Sequence, residues 1–179
     1  MGWTSEEIRF LKKLNNPDKI QSFLDSIEYN PEYTSRSPRW VIKTGTAHCF
    51  EGALFAAAAL QFNGNKPMIV DMLAEDDDDH VIAVYKVDGF WGAIAKSNFT
   101  SLRFREPVYR SVRELIMSYF DFFFNTNGFK SLRSYSLPFD LTYYESRNWT
   151  TTDEDLEYIG DKIESLHHFP GNTKDDQEP

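Results

Sequence analysis

One cysteine in 179 residues leaves no partner for an intrachain disulfide and excludes a metal site built from cysteines alone. Basic residues are scarce beside acidic ones, 19 against 28, for a net charge of -9, which argues against a general nucleic-acid backbone binder. No apolar run approaches the roughly 20 residues of a membrane-spanning helix, and the opening MGWTSEEIRFLKKL has no basic segment leading into an apolar one. The acidic run Glu75 to Asp79 lacks the ligand spacing and loop glycine of an EF-hand, and the histidines form no pair four residues apart. The expectation is a cytoplasmic protein with no cofactor, no metal, no nucleic-acid or membrane partner, and a peptide or protein substrate.

What is present is apolar and aromatic, 41% hydrophobic with 16% Phe, Trp and Tyr, a composition that builds a core. The length predicts one domain over residues 1–170, and the polar, charged stretch 171–179 reads as a disordered tail. The chain is organised around Thr44 to Gln61, TGTAHCFEGALFAAAALQ, because Ala53 to Leu60 are apolar with hardly a break. A helix there has no polar face and belongs in the interior. With Thr46 as N-cap, Cys49 falls in the first turn, where backbone N–H groups and the helix dipole favour a thiolate over a thiol of pKa about 8.5. The plainer reading of a lone cysteine is a small buried hydrophobe.

On either side the chain carries clear local signals. Thr4-Ser5-Glu6-Glu7 is a capping box before Ile8, Phe10, Leu11 and Leu14, and Asn16-Pro17 opens a second amphipathic helix through Ile27. Glu28 to Lys43 reads as a loop with Trp40-Val41-Ile42 its apolar part, and Asn63-Gly64-Asn65 stops the central helix before a strand from Pro67 to Leu73. His80 to Val87, Asp88-Gly89 and Phe90 to Ala95 form a hairpin signal, whose two-residue turn pairs Val87 with Phe90 and, if the ladder continues, His80 with Ser97. Ser111 to Glu114 is a capping box opening a helix through Phe123 that Asn127-Gly128 ends, Ser134 to Tyr144 reads as loop or short strand, and a last helix carries Leu156, Ile159, Ile163 and Leu166. His167 and His168 fall at its end, where a structural role is expected.

Cys49 at a helix start followed by His80 at a strand start supplies a thiol nucleophile with a proton acceptor, although a histidine satisfied within the core is the alternative. His48 is a poorer base, because neighbouring residues on a helix diverge by about 100 degrees. The ordered segments TAHCFEGALFAAAAL, NKPMIV and HVIAVYKVDGFWGAI, spanning about a third of the chain, resemble the transglutaminase-like superfamily. The resemblance implies an α+β fold with a papain/transglutaminase-like core, in which a buried Cys-bearing helix packs on a small antiparallel sheet with flanking helices. It also implies a thioester through Cys49 and acid-base work by His80. Where that family presents Asp, this sequence has Ala95, so Ser97 or Asn98 is the expected acceptor for the histidine ring. Two functions follow: a thiol-dependent hydrolase or acyltransferase acting on an amide or peptide-like substrate, or a catalytically inactive binding or scaffold domain of the same fold.

Overall fold

The structure, a computed structural model, describes residues 2–171. Of the tail expected over 171–179, residues 172–179 lie outside the described residues, while Gly171 is buried and its N–H donates to the Arg133 carbonyl at 2.8 Å. Thr4 and Glu7 cap each other's backbone at the start of α1 (Ser5–Leu11), and the Asn16 side chain caps α2 (Pro17–Ser26). β1 (Glu28–Tyr29) pairs in parallel with β2 (Thr46–Ala47). Between these two lies a helix, α3 (Pro38–Thr44), where the sequence suggested a loop. Its signals are Pro38 in the first turn and Gly45, left-handed at φ 64, at the end.

Because Thr46 is committed to β2, the central helix α4 (Cys49–Phe62) begins after His48, not Thr46, and Cys49 is its first residue. Phe50 to Leu60 are buried without exception, as an all-apolar helix requires.

The remaining strands are β3 (Met68–Ala74), β4 (His80–Val87), β5 (Phe90–Ile94), β6 (Arg105–Tyr109), β7 (Leu132–Ser136), β8 (Phe139–Asp140) and β9 (His168–Pro170). They form an antiparallel sheet in the order β6-β5-β4-β3-β7-β9, with β8 also on β3. Two α-helices, α5 (Val112–Phe120) and α6 (Glu157–Glu164), and two 3-10 helices, Thr100–Leu102 and Leu141–Arg147, complete the element order. The fold is mixed α+β. α5 stops at Phe120, before both Phe123 and the expected Asn127-Gly128 end, and β9 takes up His168, which the sequence placed at a helix end.

Side-chain alternation divides the sheet between two cores. Ile69, Val81, Ala83, Tyr85 and Ile94 pack with α4, while Val70, Met72, Ile82, Val84 and Ala93 pack with Leu115, Ile116 and Tyr119 of α5. Asp88 and Gly89 both take positive φ, 52 and 86, as a tight two-residue hairpin turn demands. The register runs as predicted from Val87↔Phe90 to Ala83↔Ile94.

There the ladder ends. Gln21 of α2 takes both backbone groups of Ala95, accepting from its N–H at 3.0 Å and donating to its carbonyl at 2.9 Å. The buried Lys96 donates to the carbonyls of Leu24 and Ile27 at 2.8 and 2.6 Å, capping the end of α2. The chain is drawn towards α2 before Ser97 can pair opposite His80.

This crossing depends on Gly52. A Cβ there would lie 2.4 Å from the Lys96 Cβ. Gly52→Ala is therefore expected to lower stability by roughly 1–3 kcal/mol despite its better helix propensity, read as a lower urea midpoint. A midpoint equal to or above that of the native protein would contradict the close approach.

Candidate active site

Apart from Gln61 in its last turn, α4 is polar only in its first turn. The thiol of Cys49 contacts the Asp79 carbonyl at a long 3.9 Å, and the backbone N–H groups of Val81 and Phe50 are directed at the sulfur. Those N–H groups favour the thiolate, as the helix start was expected to do. Dense packing around the sulfur outweighs them, and the nearby Asp71 and Asp78 carboxylates add to the effect, so the thiol pKa is raised. The sequence expectation of a depressed pKa is corrected by desolvation.

His80 opens β4 opposite Met72, on the face that also carries Ile82 and Val84. Its ring packs edge-on to Phe123, and Nε2 lies 3.0 Å from the Leu102 carbonyl oxygen. A carbonyl only accepts, so Nε2 carries the proton and Nδ1 holds the lone pair. Nδ1 has no partner among the described residues. Burial disfavours the imidazolium and takes the His80 pKa down to about 4, against which the Leu102 hydrogen bond works weakly. At neutral pH the ring is an uncharged base.

The expected acceptors do not serve His80. The Ser97 hydroxyl accepts from the Phe99 N–H at 3.0 Å, and Asn98 is exposed. Leu102, in the short 3-10 turn Thr100–Leu102, supplies the acceptor through its backbone, which no side-chain pattern in the sequence announces. Cys49, His80, Ser97 and Asn98 nonetheless line one cavity of about 640 Å³. Cys49 belongs to the helix on the odd-numbered face of β4 and His80 to the even-numbered face, so they approach the cavity around the start of the strand. No hydrogen bond joins them.

One wall of the cavity is pinned by Glu51, a fully buried carboxylate in the first turn of α4. Arg36 grips it with Nε at 2.7 Å and Nη2 at 3.0 Å, Thr34 donates at 2.7 Å, and Asn30 donates at 3.1 Å. Burial alone would raise the Glu51 pKa, but these donors prevail and lower it. His48 extends the arrangement, its Nε2 lying 2.5 Å from the Thr34 carbonyl. The segment from Asn30 to Arg36 is thereby held over the mouth of Cys49. Tyr29 completes this side, its hydroxyl near the Cys49 backbone N–H and its pKa pushed up to about 12, first by burial and then by the charges of Cys49 and Asp78.

Asp71 also lines the cavity, buried at 3% exposure in β3 and bound to His168 Nε2 at 3.1 Å. His168 Nδ1 lies 2.9 Å from the Leu166 carbonyl, which fixes a proton there and leaves Nε2 and the carboxylate to share another. Burial takes the Asp71 carboxyl up to about 6, against the hydrogen bond and charge of His168 and with Asp79 and Glu164 adding to the rise. Sequence reading missed Glu51 and Asp71, and it gave His168 a structural role without a partner. A carboxylate inside an apolar helix, and another inside MIVDML, each signalled a buried partner. His168 gave no such sign, because its partner lies 97 positions away.

No protein-family model matches the chain, and no curated protein does. Among the described residues no group of three or more His, Cys, Asp or Glu is arranged to hold a metal ion, and no helix is long and apolar enough to cross a membrane.

Two outcomes test this geometry. Glu51→Ala strands Arg36 and is expected to cost roughly 3–5 kcal/mol in chemical denaturation, with faster proteolysis between Asn30 and Arg36; a loss below about 1 kcal/mol would mean the pair holds nothing. The second concerns pH. His80, with its folded pKa below the ordinary 6.5, loses stability for the fold as pH falls from 6.5 to about 4. Asp71, with its folded pKa above the ordinary 3.8, returns stability as pH falls from about 6 to 3.8. Each effect is worth roughly 3 kcal/mol, so they largely offset. Asp71→Asn is expected to make stability fall more steeply with acid across that window, and a pH slope parallel to the native protein's would refute the assignment.

Proposed function

We propose that the chain is a thiol-dependent hydrolase or acyltransferase acting on an amide or peptide-like group, with a papain/transglutaminase-like core, Cys49 as nucleophile and His80 as base. The observation that carries this reading is the protonation pattern of His80. With Nε2–H held by the Leu102 carbonyl, Nδ1 is the only basic atom of the ring, and it belongs to a residue lining the same cavity as the thiol. Leu102 takes the orienting part that Ser97 or Asn98 was expected to play.

Both partners rest uncharged, so attack proceeds by general-base catalysis rather than from a standing thiolate–imidazolium pair. The thiol leaves the Asp79 carbonyl and gives its proton to Nδ1 as sulfur bonds to the substrate carbonyl carbon. Nδ1–H then passes that proton to the departing amine as the carbon–nitrogen bond breaks, leaving a thioester on Cys49. Water releases the acid, or a second amine forms a new amide. The N–H groups of Phe50 and Val81, already directed at the sulfur, are donors available to the developing oxyanion.

A catalytically inactive binding domain is the second reading, favoured by the raised thiol pKa and the missing Cys49–His80 hydrogen bond. Acylation by a p-nitrophenyl ester separates the two when followed by intact mass. Enzyme chemistry predicts one acyl group on Cys49, none on Cys49→Ser, and a rate reduced about 100-fold or more in His80→Asn. The native rate should fall as pH drops through about 4, where imidazole becomes imidazolium. Acylation no faster than that of free cysteine, and unchanged in His80→Asn, would leave the binding reading.

A further inference from the structure

Apart from its two histidines, every charged residue lining the cavity is a carboxylate. None of these carboxylates forms an ion pair with a lysine or arginine among the described residues; Asp71, bound to His168, is the only one with a cationic-type partner. The charge is built into two elements of the lining. On α6, Glu157, Asp161 and Glu164 stand four and three residues apart and share one helical face, an arrangement that costs helix stability through like-charge repulsion. The turn Asp77 to Asp79 lines the same cavity, and Ser131 fixes it by donating to the Asp77 carboxylate at 2.5 Å. The Ser131 N–H in turn donates to the Phe123 carbonyl at 2.9 Å, which ties the acidic turn to a phenylalanine segment.

That segment forms an apolar rim. Phe122 and Phe124 are 50% and 49% exposed, and Phe99 beside them is 60% exposed, all three lining the cavity. Large aromatics left in water around a concave acidic site fit a cation that stacks on rings while its hydrogens meet carboxylates. A second observation points to a ligand here independently of charge: His80, only 4% exposed, lines this cavity with Nδ1 unpartnered.

We propose that the cavity selects a cationic peptide, with an arginine guanidinium held by the acidic lining and the phenylalanine rim. Guanidinium suits this setting better than ammonium, being planar, weakly hydrated and able to stack while donating to carboxylates on more than one side. The inference rests on the preceding reading for what happens at Cys49, whereas the binding it describes needs no turnover.

The test is fluorescence anisotropy on the full native protein with three labelled pentapeptides, identical except for two positions that are Arg, Lys or Glu. The arginine peptide is expected to bind at least tenfold more tightly than the glutamate peptide, and to weaken as salt rises from about 50 to 300 mM. The exposed triple variant Glu157→Gln/Asp161→Asn/Glu164→Gln, shown folded by its thermal melt, should weaken arginine-peptide binding roughly tenfold. Equal binding of arginine and glutamate peptides, or a triple variant indistinguishable from the native protein, would overturn the proposal. Lysine binding as tight as arginine would overturn the guanidinium assignment. Ester acylation of Cys49 without arginine-peptide binding refutes this inference alone, and binding without acylation refutes only the enzyme reading.

Discussion

A helix with no polar side has to be covered on every side, and α4 imposes that condition on the rest of the molecule. The sheet covers it through Val81, Ala83 and Tyr85, while α2 and α3 supply Ile20, Leu24 and Val41 to the same core. Polar chemistry can then enter only at the helix start, where the apolar run has not begun. Cys49, Glu51 and the N-cap His48 lie there, and the cavity forms where the covering elements meet around that end.

Burial sets the electrostatics of this corner more than any single contact does. Desolvation holds the Cys49 thiol and the His80 ring neutral, and it keeps the Asp71 carboxyl near half-protonation in mildly acidic solution. Glu51 is the exception, because five donors from one short segment outweigh the loss of water. The site therefore combines a rigid, fully paired anchor on one wall with reactive groups whose protons are not yet committed. The unpaired carboxylates around them supply a negative field and carry no structural ion pairs.

The elements with strong local signals were legible in the sequence. The capping box at Thr4, the Ser111 N-cap, the Asn16-Pro17 start and the Asp88-Gly89 turn are each decided within four residues, and the hairpin register followed from its turn alone. Cys49 at the head of a buried helix and His80 at the head of a strand were legible for the same reason. What failed depended on distant partners. Thr46 could not cap α4 once β1 claimed it, and α3 was hidden in a stretch rich in Tyr, Pro and Ser. The histidine's acceptor was sought by extending a ladder that Gln21 interrupts from 74 positions away. A backbone carbonyl such as that of Leu102 carries no residue-type signature at all.

The central claim is that the Leu102 carbonyl fixes the proton of His80 on Nε2 and leaves Nδ1 as the basic atom of a neutral ring. Nitrogen-15 NMR of histidine-labelled protein reads both points at once. The account predicts the Nε2–H tautomer for His80 at neutral pH and a titration midpoint near pH 4. A proton on Nδ1, or a midpoint at the ordinary 6.5, would contradict it.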